Sequence, residues 1–187
     1  MNSVQIAILA AGLALNSFIS FFNSGYSLTS TDFDQKLRSG ATLFIFQVLM
    51  SGAGLWLGIR IGILAVNSNY YISQGILMFV GLKIIFDSLR YRQDNKRTNL
   101  LETRDLVVLA LSEGILPLLL GIAIGLDVDS VMIAWLIIIS FQTIAIIAGF
   151  SAGLKKISIS YGFKLEILAG LVILAAALKM LISLIGY

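Results

Sequence analysis

Apolar residues run along this chain in six long blocks: Val4–Phe22, Ala41–Ile59, Tyr71–Leu89, Leu106–Leu126, Val131–Ser151 and Phe163–Ile185. An α-helix needs about 20 mostly apolar residues to cross the hydrocarbon core of a bilayer. Each block meets that length, and six such spans use about 120 residues. What remains of the 187 is short connections and one polar loop at 90–105, which leaves no room for a soluble domain. The pattern predicts an all-α integral membrane protein, a single membrane domain over 1–187. The first block is expected to be a retained helix rather than a signal peptide. The first basic residue is Lys36, the apolar run is too long for a signal core, and no small-residue cleavage site follows.

Basic residues are spread unevenly among the connections. Cytoplasmic loops collect Lys and Arg. Lys36 and Arg38 fall in the first loop, and Arg90, Arg92, Lys96, Arg97 and Arg104 in or beside the third. Lys155, Lys156 and Lys164 flank the fifth. The second has only Arg60 nearby, and the fourth, Asp127-Val128-Asp129-Ser130, is acidic. The odd loops are therefore expected inside a plasma (bacterial inner) membrane and both termini outside. Basic loops beside anionic lipid account for the net charge of +3, and no nucleic-acid partner is expected.

The two halves of the chain correspond when shifted by 95 or 96 positions. Leu13-Ala14-Leu15-Asn16-Ser17 lies over Leu109-Ala110-Leu111-Ser112-Glu113, and Gly25 over Gly121. Phe46-Gln47, followed by Gly54 and Gly58, lies over Phe141-Gln142, followed by Gly149 and Gly153. Leu82-Lys83 lies over Leu178-Lys179. Each repeat, about 1–90 and 106–187, holds three spans. Three is odd, so the second half enters the membrane in the opposite sense. Such three-plus-three inverted repeats are common among secondary transporters, whose sites lie near the midplane between the repeats.

Composition narrows the chemistry. Hydrophobic residues make up 58% and charged residues 12%, against roughly 45–50% and 25% for a soluble domain. With no Cys and no His there is no thiol nucleophile, Cys-based zinc site or imidazole base. Any metal would be held by oxygen, which favours hard or borderline cations. No resident cofactor and no enzyme activity are expected, and no Walker motif is present for ATP use.

Polar groups within the spans carry the functional argument, because an ionisable side chain at the bilayer centre costs about 2.5–3.5 kcal/mol on insertion scales. They are Asn16, Gln47, Lys83, Glu113, Gln142, Glu166 and Lys179. Two readings stand for Glu113: a structural ion pair with Lys83, or part of a cation path. Asp87 is a second partner for Lys83, one turn along. Lys179 is expected to snorkel outward. Glu166 is either a solvated carboxylate in the first turn of its helix or a path residue. Asn16, Gln47 and Gln142 are either interhelical hydrogen-bond glue or neutral oxygens on a transport path. Pro117 removes a donor and frees a carbonyl near Glu113.

Lys164-Leu165-Glu166-Ile167-Leu168-Ala169-Gly170-Leu171-Val172 resembles the Lys-x-Glu-Ile-Leu-Gly-Gly-Leu-Val start of the last helix in the MntP-type manganese efflux pumps, within the LysE-like exporters. The resemblance covers nearly the whole chain. It places Asn16 where that family carries its helix-one aspartate and Gln47 where it carries a helix-two glutamate, with Gly58 eleven residues on. The second aspartate is either lost or displaced onto Glu113. The resemblance implies export of a divalent cation, manganese, along a path of Asn16, Gln47, Glu113, Gln142 and Glu166. The metal ligands it implies are Glu166, Glu113, Asn16 and Gln47. Two carboxylates have become amides, and a divalent ion leaving water needs anionic compensation. The alternative is therefore a non-transporting membrane scaffold or assembly protein on the same fold, or an exporter of another solute.

Overall fold

The computed structural model describes residues 1–28, 33–65, 68–91, 103–128, 130–155 and 162–185. Among these residues are six helices: α1 (Ser3–Ser27), α2 (Phe33–Leu64), α3 (Asn69–Tyr91), α4 (Thr103–Gly125), α5 (Val131–Leu154) and α6 (Gly162–Ile185). All six are long and apolar enough to cross a membrane. Their outward faces carry Ile45, Leu49, Trp56, Phe79, Phe86, Ile144, Ile147 and Ile182, all exposed. Apolar surface so extensive suits lipid rather than water.

Two helices outrun the apolar blocks that predict them. Helix α2 is 32 residues long and begins at Phe33 rather than Ala41. Its first turns are polar, with Asp34 placed where a helix dipole favours an acid. Hydropathy marks the thickness of hydrocarbon, not the end of backbone hydrogen bonding, so a helix can continue into the headgroup region. Lys36 and Arg38 thus stand on a helix and not in a loop. They share one end of the bundle with Arg90 in the last turn of α3 and Arg104 in the first turn of α4. Helix α1 continues past Phe22 because its serines bond inward: Ser24 donates to the Ser20 carbonyl and Ser27 to that of Asn23, both at 3.0 Å. Arg92, Lys96, Arg97, Asp129 and Lys156 lie outside the described residues.

Glycine sets how closely the helices pack. Helix α2 runs along α4, α1 along α5, and α3 against α6, while α1 also meets α6 and α3 meets α4. A Cβ on Gly54 would sit 2.2 Å from the Leu118 carbonyl oxygen, and one on Gly58 2.3 Å from that of Ile122. On the other seam, a Cβ on Gly149 would sit 2.3 Å from the Phe18 oxygen and one on Gly153 2.2 Å from that of Phe22. Only a residue without a side chain lets backbones approach so closely. Contact positions rise together along both seams, so α1 runs parallel to α5 and α2 parallel to α4. Leu9, Leu13, Leu77, Val80, Leu120, Ile124, Ile138 and Ile173 fill the space between the seams. Helix α4 continues through Pro117, which is buried against its neighbours.

Candidate functional site

Three neutral side chains from three helices meet deep in the bundle. The Ser17 hydroxyl of α1 donates to Gln142 Oε1 of α5 at 2.9 Å. Gln47 Nε2 of α2 donates to Ser17 Oγ at 3.4 Å. Ser17 is 1% exposed and each glutamine 3%. Among the described residues, Gln47 Oε1 and Gln142 Nε2 are buried without a hydrogen-bond partner. An unpaired buried polar atom costs about 1–3 kcal/mol. The hub therefore keeps an unused acceptor and an unused donor at some energetic expense. The early start of α2 puts Gln47 near the middle of its helix, level with Gln142, rather than the third of the way in that the apolar block suggests.

Towards the basic end the site becomes charged. Glu113 of α4 is half-buried, about 15 Å along the helix from Thr103. The Ser20 hydroxyl of α1 lies beside its carboxylate, with the charges of Lys83 and Asp87 within electrostatic reach. Glu166 of α6 lies beside Ser88 of α3 and feels both Glu113 and Asp87. The Ser88 hydroxyl also reaches the Phe163 carbonyl at 3.3 Å. Lys83 pairs directly with Asp87, one turn on. Glu113 is thus a charged neighbour of Lys83, whose contact ion pair is made on its own helix. Among the described residues no three carboxylates close around a single point where a metal ion could be held.

Ser17 and Ser20 lie one turn apart on α1, about 4.5 Å along its axis. They connect the neutral hub to Glu113. Asn16 is half-buried about 100° around α1 from Ser17 and is not one of the hydrogen-bonded trio. Lys179 is exposed on α6. The structure thus brings together Gln47 with Gln142, and Glu113 with Glu166. The joining residues, Ser17, Ser20 and Ser88, escape a search for charged or amide groups. One signal was present for Ser17, which lies over Glu113 in the repeat.

The family model described as "Putative manganese efflux pump" matches residues 30–181. The chain belongs to the MntP family. A protein of Crocosphaera subtropica named "Putative manganese efflux pump MntP" is 28% identical over 183 residues, covering 98% of this chain and 97% of its own. One of that name from Rippkaea orientalis is 27% identical over 183 residues, with the same coverage. Another, from Methanocorpusculum labreanum, is 29% identical over 176 residues, or 94% of each chain. No solved structure matches the chain. Membership and six membrane-crossing helices together make this a multi-pass membrane protein of a transporter family. The MntP family match spans both the neutral hub from Gln47 onward and the carboxylates at Glu113 and Glu166.

Proposed function

We propose that this chain exports a divalent cation, manganese, from the cytoplasm across the bacterial inner membrane, with both termini outside. The observation that carries the reading is that Asp87, Glu113 and Glu166, from α3, α4 and α6, lie within electrostatic reach of one another at the basic end, with Lys83 paired to Asp87 and near Glu113. When ionised, three carboxylates and one ammonium leave a net charge of two negative, which a divalent cation balances. Glu166 and Glu113 supply charge at the entrance, and Asn16, Gln47 and Gln142 offer neutral oxygens deeper in. Transport, not catalysis, is the activity.

The packing supports an inverted repeat. Exchanging α1 with α4, α2 with α5 and α3 with α6 turns the α1·α5 seam into the α4·α2 seam and leaves α3·α6 unchanged. The repeat mates Gln47 and Gln142 meet on one hydroxyl. The seams also differ in register. Gly149 meets Phe18, whose repeat mate is Gly114, yet Gly54, the mate of Gly149, meets Leu118 one turn beyond. An offset of one turn between equivalent seams is an asymmetry compatible with rocking between two access states.

The test is cellular manganese, with iron, cobalt, zinc and cadmium in the same assay, in an exporter-deficient bacterium. The parent chain is expected to lower manganese; Glu113→Ala and Glu166→Ala are expected not to. A fall in a different metal would move the cargo. No change in any metal, with the protein present in the membrane, would overturn the reading and favour the scaffold.

A further inference from the structure

Five helical hydroxyls bond four residues back in their own helix, whereas Ser17, like Ser73 and Ser88 of α3, bonds across to another helix. Ser24, Ser27, Thr42, Ser112 and Ser140 each donate to the carbonyl four residues back in their own helix, at 2.7–3.0 Å. Ser17 instead turns its hydrogen to Gln142 on a neighbouring helix. Rotating it to the Leu13 carbonyl would restore the usual bond. That rotation would release the lone pair of Gln142 Oε1 that now accepts from Ser17, while Gln47 Oε1, at the other end of the amide whose Nε2 faces Ser17, is buried and unpartnered among the described residues. Turning the Gln47 amide over as well, so that Oε1 rather than Nε2 faces Ser17, would bring three neutral oxygens from α1, α2 and α5 together, with no carboxylate among them.

Neutral oxygens sort cations by charge. A divalent ion gives up too much hydration to be held by amides and a hydroxyl alone and needs carboxylates. A small monovalent cation is held by carbonyl and amide oxygens, as at the carbonyl sites of channels and transporters. We propose that Ser17, Gln47 and Gln142 form a binding site for a monovalent cation of the sodium class, whose entry drives cargo export by exchange. One retained water on the ion would accept from Gln142 Nε2, so both unpartnered atoms gain a partner. The site lies one turn of α1 from Ser20 and Glu113, close enough for the two cations to repel. Occupancy by one therefore opposes occupancy by the other, which is what exchange demands. The inference rests on the export reading for its role in coupling, though not for the binding itself.

The test uses the full chain in proteoliposomes. Equilibrium binding of sodium-22 is expected at one ion per chain, displaced by lithium more readily than by potassium. Gln47→Leu and Ser17→Ala are expected to weaken it at least tenfold. Gln47→Glu, which keeps the shape and adds an anion, is expected to tighten it about tenfold, so a site remains readable if the apolar variants fold poorly. An opposed sodium gradient is expected to speed manganese flux several-fold over a matched choline gradient at clamped potential. Saturable sodium binding without manganese flux would sink the export reading and leave the site standing. Manganese flux with no sodium binding, or with binding unmoved by all three substitutions, would overturn the proposal and leave the hub as water-filled helix glue.

Discussion

The neutral hub and the carboxylate group are built on different supports. Ser17, Gln47 and Gln142 are fully buried and depend on α1 lying within backbone contact of α5. Asp87, Glu113 and Glu166 hang from α3, α4 and α6, are only partly buried or exposed, and do not close on one point. The hub is buried and uncharged; the acids are more exposed and ionisable. On the export proposal, selectivity falls to the first, and attraction of a cation to the second. The two regions should therefore be separable by mutation.

The largest effect is expected from the α1·α5 seam. A side chain on Gly149 meets the Phe18 carbonyl at 2.3 Å, backbone that cannot turn aside. Gly149→Val should cost about 3 kcal/mol, at the upper end of overpacking costs, and draw Ser17 away from Gln142. Thermal unfolding in lipid nanodiscs would read the loss. The carboxylates on α3, α4 and α6 should still attract manganese. Gly75 is the control. A Cβ there meets nothing within 4 Å, so Gly75→Ala should be neutral or stabilise by up to about 1 kcal/mol. Equal damage from both would mean that the seam does not position the hub.

Next in size is the loss of charge. Glu113→Gln keeps the shape and the neighbour Ser20 but removes an anion from the route. Export should fall at least tenfold, about 1.4 kcal/mol in barrier, with little change in unfolding temperature. If Glu113→Gln exports at the parent rate while Glu166→Gln does not, the route follows α6 alone and the link through Ser20 is wrong.

These two expectations mark what the sequence could and could not say. The six helices were legible because lipid imposes a length and an apolar composition, and α5 begins where its block begins, at Val131. The start of α2 was not, because polar residues in a helix beyond the hydrocarbon look like a loop. Gln47 and Gln142 stood out as amides in apolar spans, and the repeat made them equivalent. That one serine joins them was hidden, because a hydroxyl satisfied within its own helix and one turned to a neighbour are spelled alike. Asn16 drew attention through its resemblance to an aspartate position, yet the hydrogen-bonded residue is its neighbour, a turn of about 100° that a linear motif does not reveal.

A smaller effect tests that correction. Ser17→Ala deletes the shared hydroxyl and leaves both glutamines without their common partner. Hydrogen bonds between membrane helices average about 0.6 kcal/mol and reach about 1.7, so a loss near 1 kcal/mol is expected by unfolding in nanodiscs. Asn16→Ala should change stability by less than half as much. The reverse order would return Asn16 to the centre of the hub.

The smallest stability effect should come from Lys83, and it separates the regions most cleanly. Its pairing with Asp87 is partly exposed, with 30% and 57% of the two side chains accessible. Such a pair within one helix contributes about 0.3–0.5 kcal/mol at most. Lys83→Met should therefore hardly move the unfolding midpoint. It does remove the cation paired with Asp87 and near Glu113, so the group becomes more negative and holds a divalent ion more tightly. Manganese should bind a few-fold more strongly and leave more slowly, so that export falls although affinity rises. Nothing at the hub changes, so monovalent binding should stay at the parent value. A variant that loses manganese affinity would show that Lys83 orders the carboxylates rather than competing with the cargo, and would return the Lys83 and Glu113 pair to a structural role.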